Sequence, residues 1–243
     1  MSVVSTAVAS PWRAPYLRTT AGIVALTVLF AFEALAVAAI MPDIAADLDG
    51  LRWYPIAFAA PVAASVVALA VAGPAIDRHG PGPALVAGLV IFCAGLALAG
   101  LAPTMLVFLL GRLVHGFGGG VLGVGIYVVV GQAYPEHLRA PTFAALSAAW
   151  VLPALVGPIT AASVARAVGW RWVFLGVPMV AVAAWLLVRS TPSTPGEGEA
   201  RDLRVGAALL AATGVLLVSI GGQRGTAAWP VLVLAGLLAI GLA

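Results

Sequence analysis

Residues 104–131 read TMLVFLLGRLVHGFGGGVLGVGIYVVVG. Two ionisable side chains, Arg112 and His115, stand in an otherwise apolar, glycine-rich run. A bilayer core about 30 Å thick is crossed by roughly 20 helical residues. Lipid offers no water to pair with backbone N–H and C=O groups, so a single unbroken run of this length must satisfy them within itself, as a helix. This stretch is therefore expected to be a transmembrane helix, and the chain on either side repeats its pattern.

Before it lie apolar runs at Ala21–Met41, Tyr54–Ile76 and Pro83–Ala102; after it come Pro141–Ala165, Gly169–Val188 and Val205–Gly221. An eighth run starts near Trp229 and is still continuing at Ala243. The fold class expected is an all-α membrane protein with seven complete spans and one incomplete one. Across 243 residues, 63% are hydrophobic and 9% charged; a soluble domain carries about a quarter charged residues, so an ordinary water-soluble globule is excluded. The first span is longer than the roughly 7–15 apolar residues of a signal peptide and is followed by more spans, so it is read as an uncleaved helix.

The net charge of +3 does not point to nucleic acid. All 12 basic residues are arginines, and they are scattered rather than gathered into a patch with interleaved aromatics. Cys93 is the single cysteine, which rules out a disulfide within the chain and a multi-cysteine metal site. Asp43, Asp47 and Asp49 have no histidine near them and read as solvated carboxylates rather than metal ligands. No HExxH, GxSxG or P-loop pattern occurs. The chain is expected not to be an enzyme and to need no cofactor and no metal.

Arginine bias sets the expected orientation. With the N-terminus in the cytoplasm, Arg13, Arg18, Arg78, Arg139, Arg189, Arg201 and Arg204 fall inside, and Arg52, Arg166, Arg171 and Arg224 fall outside. The organisation expected is a cytoplasmic N-terminal segment at 1–20, a six-helix bundle at 21–188, a cytoplasmic linker at 189–204 and two further helices at 205–243. Thr191-Pro192-Ser193-Thr194-Pro195-Gly196 gives the linker a composition that cannot bury a core. The last run has no polar stop, so the chain is expected to be part of a longer polypeptide.

Ionisable groups inside a span cost at least about 2.5–3.5 kcal/mol and usually face a cavity or a partner. Glu33 in the first span and Arg112 and His115 in the fourth are the clear cases. Glu33 stands eight residues before Met41, and Arg112 eight residues after Thr104. At 1.5 Å per residue both lie about 12 Å from the same boundary. Opposite charges at one depth can pair if their helices are neighbours. Glu33 and Arg112 are expected to form a buried, proton-sensitive couple lining a cavity; a purely structural salt bridge is the alternative. His115, one turn from Arg112, is read either as a proton relay or as a hydrogen-bonded structural histidine. Gly116, Gly118, Gly119, Gly120, Gly123 and Gly125 lie inside an apolar span, where close helix packing explains them better than a phosphate loop.

At the second expected cytoplasmic turn the chain reads Gly73-Pro74-Ala75-Ile76-Asp77-Arg78-His79-Gly80. This resembles the GxLaDRxGRR motif of the major facilitator superfamily, matching at Gly73, Asp77, Arg78 and Gly80; Pro81 and Gly82 replace the basic pair that follows. Residues Arg112 to Gly120 resemble the family's RxxQGxGxx segment, with His115 where glutamine is usual. In the fifth span Pro153-Ala154-Leu155-Val156-Gly157-Pro158-Ile159-Thr160-Ala161-Ala162 is similar to the GxxxGPxxGG antiporter motif at Gly157 and Pro158, with Pro153 in place of its first glycine. Gly169-Trp170-Arg171-Trp172-Val173-Phe174 is like the family's GWRWxF start of its sixth helix, and Glu33 precedes Pro42 by the spacing seen in fourteen-span drug:proton antiporters, where the proline ends the first helix.

The resemblance implies two bundles of six helices, each built from inverted three-helix repeats, with substrate bound between them near the midplane. It implies a proton-coupled secondary transporter of the cell membrane exporting amphipathic small molecules by alternating access. Glu33, Arg112 and His115 would couple protons, Asp77 and Arg78 with their glycines would stabilise the cytoplasmic gate, and Gly157 and Pro158 would set the bend of the fifth helix. The partners implied are the lipid bilayer, protons, a small-molecule substrate and a second bundle of the same polypeptide. An uptake porter of the same fold for a sugar or metabolite, or a truncated, non-transporting membrane protein, stay open as alternatives.

Overall fold

The structure, a computed structural model, describes residues 10–189, 205–221 and 229–242. The described part is helical: α1 (Leu17–Asp47), α2 (Tyr54–His79), α3 (Pro81–Gly100), α4 (Met105–Ala133), α5 (Glu136–Ala148), α6 (Val151–Val168), α7 (Arg171–Val188), α8 (Val205–Gly221) and α9 (Trp229–Leu242). Among the described residues, six segments are long and apolar enough to cross a membrane: Leu17–Asp47, Leu51–His79, Pro81–Gly100, Met105–Ala133, Glu136–Val168 and Arg171–Val188. The apolar helices α8 and α9 are shorter, at 17 and 14 residues. Most of the expected linker at 189–204, and residues 1–9 of the expected N-terminal segment, lie outside the described residues.

The packing repeats itself. α1 packs on α6 and α7, α4 packs on α2 and α3, and α3 packs on α7. Exchanging the first three spans for the second three carries the α1–α6 contact onto α4–α2 and the α3–α4 contact onto α7–α1, and leaves α3–α7 on itself. Because each set has an odd number of spans, the second begins on the opposite side of the membrane from the first, which is an inverted repeat. α8 and α9 pair through Gly214 and Gly236: a Cβ added at either would come within 2.7 Å of the other's carbonyl oxygen. α8 in turn lies against α2.

Local chemistry explains where helices start and stop. The Thr104 hydroxyl accepts from the Val107 N–H and caps α4. Gly80, at φ +79°, ends α2 in a conformation that a side chain resists, and Pro81 opens α3 where no N–H partner is required. Two boundaries differ from those expected. α1 does not stop at Pro42 but runs through it to Asp47, so that Asp43 and Asp47 are helical. The fifth span is not one helix: it breaks between Ala148 and Val151. Pro153 accounts for the break, because it lacks the N–H that would bond the Ala149 carbonyl four residues earlier and its ring crowds that carbonyl.

Candidate functional site

Glu33 on α1 and Arg112 and His115 on α4 come together in the bundle interior, at 3%, 2% and 2% exposure. Arg112 Nη1 donates to Glu33 Oε1. His115 Nε2 lies 2.6 Å from Glu33 Oε2, and its Nδ1 lies 3.2 Å from the carbonyl oxygen of Arg112. The carboxylate therefore holds the guanidinium on one oxygen and the imidazole on the other.

A third helix contributes main chain. Arg112 Nε donates to the carbonyl of Ala57 on α2, at 3.1 Å. That carbonyl would ordinarily accept from the N–H of residue 61, but Pro61 has none. The proline thus frees an acceptor at membrane depth, and the arginine satisfies it, as buried backbone groups in lipid require. Gly116 makes the approach possible, since any Cβ there would collide with the Pro61 backbone. Sequence reasoning missed Pro61 and Ala57, although a proline inside an apolar span signals an unpaired carbonyl four residues before it.

The glycines of α4 divide between two neighbours. A Cβ on Gly118 would strike the Phe92 backbone on α3, and one on Gly111 would lie 2.5 Å from the Ala99 nitrogen, whereas Gly116 and Gly120 meet Pro61, Ser65 and Ala68 on α2. On α3, a Cβ at Gly95 would run into the His115 backbone, and the Phe92 ring lies 5.2 Å from the imidazole. Helix α4 is wedged between α2 and α3, which confines the His115 ring.

One helical turn away opens a cavity of about 450 Å³ between α1, α2, α4 and the α5–α6 break. Its lining includes Thr27, Phe30, Ser65, Tyr127, Ser147 and Trp150. The hydroxyls of Thr27, Ser65 and Ser147 donate to Ile23, Val62 and Phe143 carbonyls of their own helices, so they present lone pairs to the cavity. Glu33, Arg112 and His115 do not line it, in contrast to the expectation that the couple would. Phe30 stands between: its ring lies over Gly119, edge-on to Trp150 at 5.8 Å and tilted against Phe92 at 6.3 Å.

The remaining candidate residues lie elsewhere. Asp77 and Arg78 occupy the last turn of α2, half-buried and exposed, and make no ion pair among the described residues; Gly73 has open space where a Cβ would stand. Pro153 and Gly157 are buried with Ala161 at four-residue spacing, forming the α6 stripe packed on α1, with Phe32 opposite Gly157; Pro158 is half-buried beside them. At the opposite end of the bundle from Asp77, one oxygen of Asp47 accepts from Trp170 Nε1 at 3.1 Å and Arg171 Nη1 at 2.8 Å, while Arg171 Nη2 donates to the Ala102 carbonyl at 3.2 Å. The Gly169-Trp170-Arg171 segment thus ties the end of α1 to the turn after α3.

Comparison with known proteins agrees with this architecture. The chain is 28% identical over 160 residues to Multidrug resistance protein 3 of Bacillus subtilis, covering 65% of this chain and 31% of the relative. It is 28% identical over 169 residues to Multidrug transporter protein MdtP of the same organism, covering 69% of this chain and 31% of the relative. The matched part therefore spans less than a third of either relative's length. Among solved structures, the proton:xylose symporter XylE bound to 6-bromo-6-deoxy-D-glucose superposes with a TM-score of 0.66 at 14% identity, over 93% of this chain and 51% of the symporter. The family profile described as Major Facilitator Superfamily matches residues 21–243. With paired inverted repeats, six long membrane-crossing segments and that match, this multi-pass membrane protein belongs to the major facilitator superfamily.

Proposed function

We propose that this chain forms the N-terminal part of a proton-coupled secondary transporter that exports amphipathic small molecules by alternating access. The observation that carries the reading is the buried Glu33–Arg112–His115 cluster, separated by the Phe30–Gly119 contact from the 450 Å³ cavity. Proton exchange at Glu33 alters the charge facing Arg112 and so the link between α1 and α4, while α4 stays wedged against α2 and α3; this biases the bundle toward another packing. Substrate occupies the neighbouring cavity, where aromatic faces and hydroxyl lone pairs suit a mostly apolar molecule carrying hydrogen-bond donors. Relatedness to a multidrug resistance protein and a multidrug transporter of Bacillus subtilis supports a drug-like small molecule as substrate.

In this reading the N-terminus is cytoplasmic, in keeping with the arginine bias, and the membrane is the cell's plasma membrane. Gly73, Asp77, Arg78 and Gly80 form a cytoplasmic gate contact with the second bundle, and Pro153, Gly157 and Pro158 set the packing and bend of the fifth span against α1. The test is flux of a fluorescent amphipathic dye by the full-length protein in proteoliposomes under an imposed proton gradient. Dye movement against the proton flow supports export, and dye moving with the protons replaces it with uptake. No proton-dependent flux in either direction favours a non-transporting membrane protein. Unchanged coupling in Glu33→Gln removes Glu33 from the mechanism.

A further inference from the structure

The His115 ring is held by two acceptors, and this limits where its protons can be. Nδ1 faces a backbone carbonyl, which can only accept, so the hydrogen bond at 3.2 Å requires a proton on Nδ1. Nε2 faces a carboxylate oxygen at 2.6 Å. With Nδ1 protonated, that second contact holds only if one more proton lies on the line, on Nε2 as an imidazolium or on Oε2 as a carboxylic acid. If the extra proton leaves, two lone pairs face each other across one of the two contacts, whichever nitrogen keeps its hydrogen.

We infer that Glu33 and His115 act as one proton-holding unit, and that the conformation described is its loaded form. The groups facing this unit are few. From α4 comes Arg112, whose guanidinium does not titrate in proteins; from α2 comes the Ala57 carbonyl, and from α3 the Phe92 ring and the Gly95 backbone. No other ionisable side chain pairs with it among the described residues. Loaded, the cluster of Arg112, Glu33 and His115 carries a net charge of one positive unit. Unloaded, it is neutral and must open either the Glu33–His115 contact or the bond to the Arg112 carbonyl. Release is a single N–H or O–H bond breaking, with the proton passing to solvent and the electron pair staying on the ring or the carboxylate. Because Phe92 and Gly95 confine the imidazole, opening falls to Glu33, and the step that empties the unit removes one of the two contacts tying α1 to α4 while the Glu33–Arg112 pair stays. His115 thus shares the proton with Glu33 rather than only supporting it. Its role in transport rests on the proton-coupled reading above.

Two measurements on the full-length protein test this. The first is nitrogen-15 NMR of the histidine ring at about pH 6, close to the ordinary imidazole range. His115 is identified by loss of its signal in His115→Gln, or, where that variant does not fold, in His115→Asn. A protonated Nδ1 is expected; a neutral ring with bare Nδ1 and protonated Nε2 overturns the inference. The second is proton release on addition of the dye used for flux, followed with a pH indicator. In His115→Gln the amide still donates to Glu33 but offers no second site for the proton, so the release seen with the unchanged protein at the same pH should be lost. Undiminished release makes His115 merely structural. A transporter that runs without protons defeats the functional reading, while the ring spectrum still decides whether the proton is shared; a bare Nδ1 in a proton-driven transporter defeats this inference alone.

Discussion

Neutralising Glu33 leaves a buried guanidinium with no counter-charge, and neutralising Arg112 as well should restore most of what is lost. In Glu33→Gln, the Arg112 side chain remains 3% exposed and keeps its 3.1 Å bond to the Ala57 carbonyl, so it can neither reach water nor find another acid among the described residues. Two unit charges about 4 Å apart attract by about 4 kcal/mol at an effective dielectric near 20, and removing one partner of a buried pair costs about 3–5 kcal/mol. Glu33→Gln and Arg112→Gln should each destabilise the folded protein on that scale, the second a little more because the Ala57 carbonyl also loses its donor. The double substitution removes both charges together and should cost at least about 2 kcal/mol less than the two single costs summed. Denaturant-induced unfolding of the full-length protein in detergent, read by tryptophan fluorescence for all four forms, gives the coupling directly. Additive effects, with a coupling below about 0.5 kcal/mol, would refute the claim that the pair is electrostatically linked and desolvated.

Two further outcomes are expected. Gly118→Ala should lower stability by about 1–3 kcal/mol, because its methyl group lands on the Phe92 backbone, whereas Gly131→Ala, with open space around it, should be neutral or gain up to about 1 kcal/mol; thermal unfolding of both variants decides whether α4 glycines act by contact or by composition. Asp47→Asn should change stability by no more than about 1 kcal/mol, because Arg171 and Asp47 are 41% and 47% exposed; a loss several times larger in the same assay would show that this clamp carries the bundle.

Much of the architecture was legible because membrane insertion writes itself as hydropathy: the long runs around residues 104–131 and their neighbours announce helices without any packing information. The depth of Glu33 and Arg112 was also readable, since a helix converts residue number into height at a constant rate. Which direction each side chain faces was not. That depends on the rotation of α1 about its axis, which is set by the α6 stripe of Pro153, Gly157 and Ala161 and by packing on α7, both far from α1 in the sequence. The break after Ala148 escaped notice because Pro153 looks harmless in the first turn of a helix, and its effect shows only once the preceding turn is known to be helical too. The separation of the cavity from the charged cluster was hidden for a similar reason: Phe30 reads as one more apolar residue until its ring is seen lying over Gly119.

The hold of Arg112 on α2 has an unusual robustness. Its acceptor belongs to the main chain, so no codon change at position 57 can delete the oxygen itself, although the Ala57 side chain is fully buried and leaves little room for a larger one. What guards the contact genetically is a different site, position 61, where almost any replacement for proline would supply an amide hydrogen competing for the same oxygen. Drift in this region of the gene should therefore be read four residues downstream of the atom it affects.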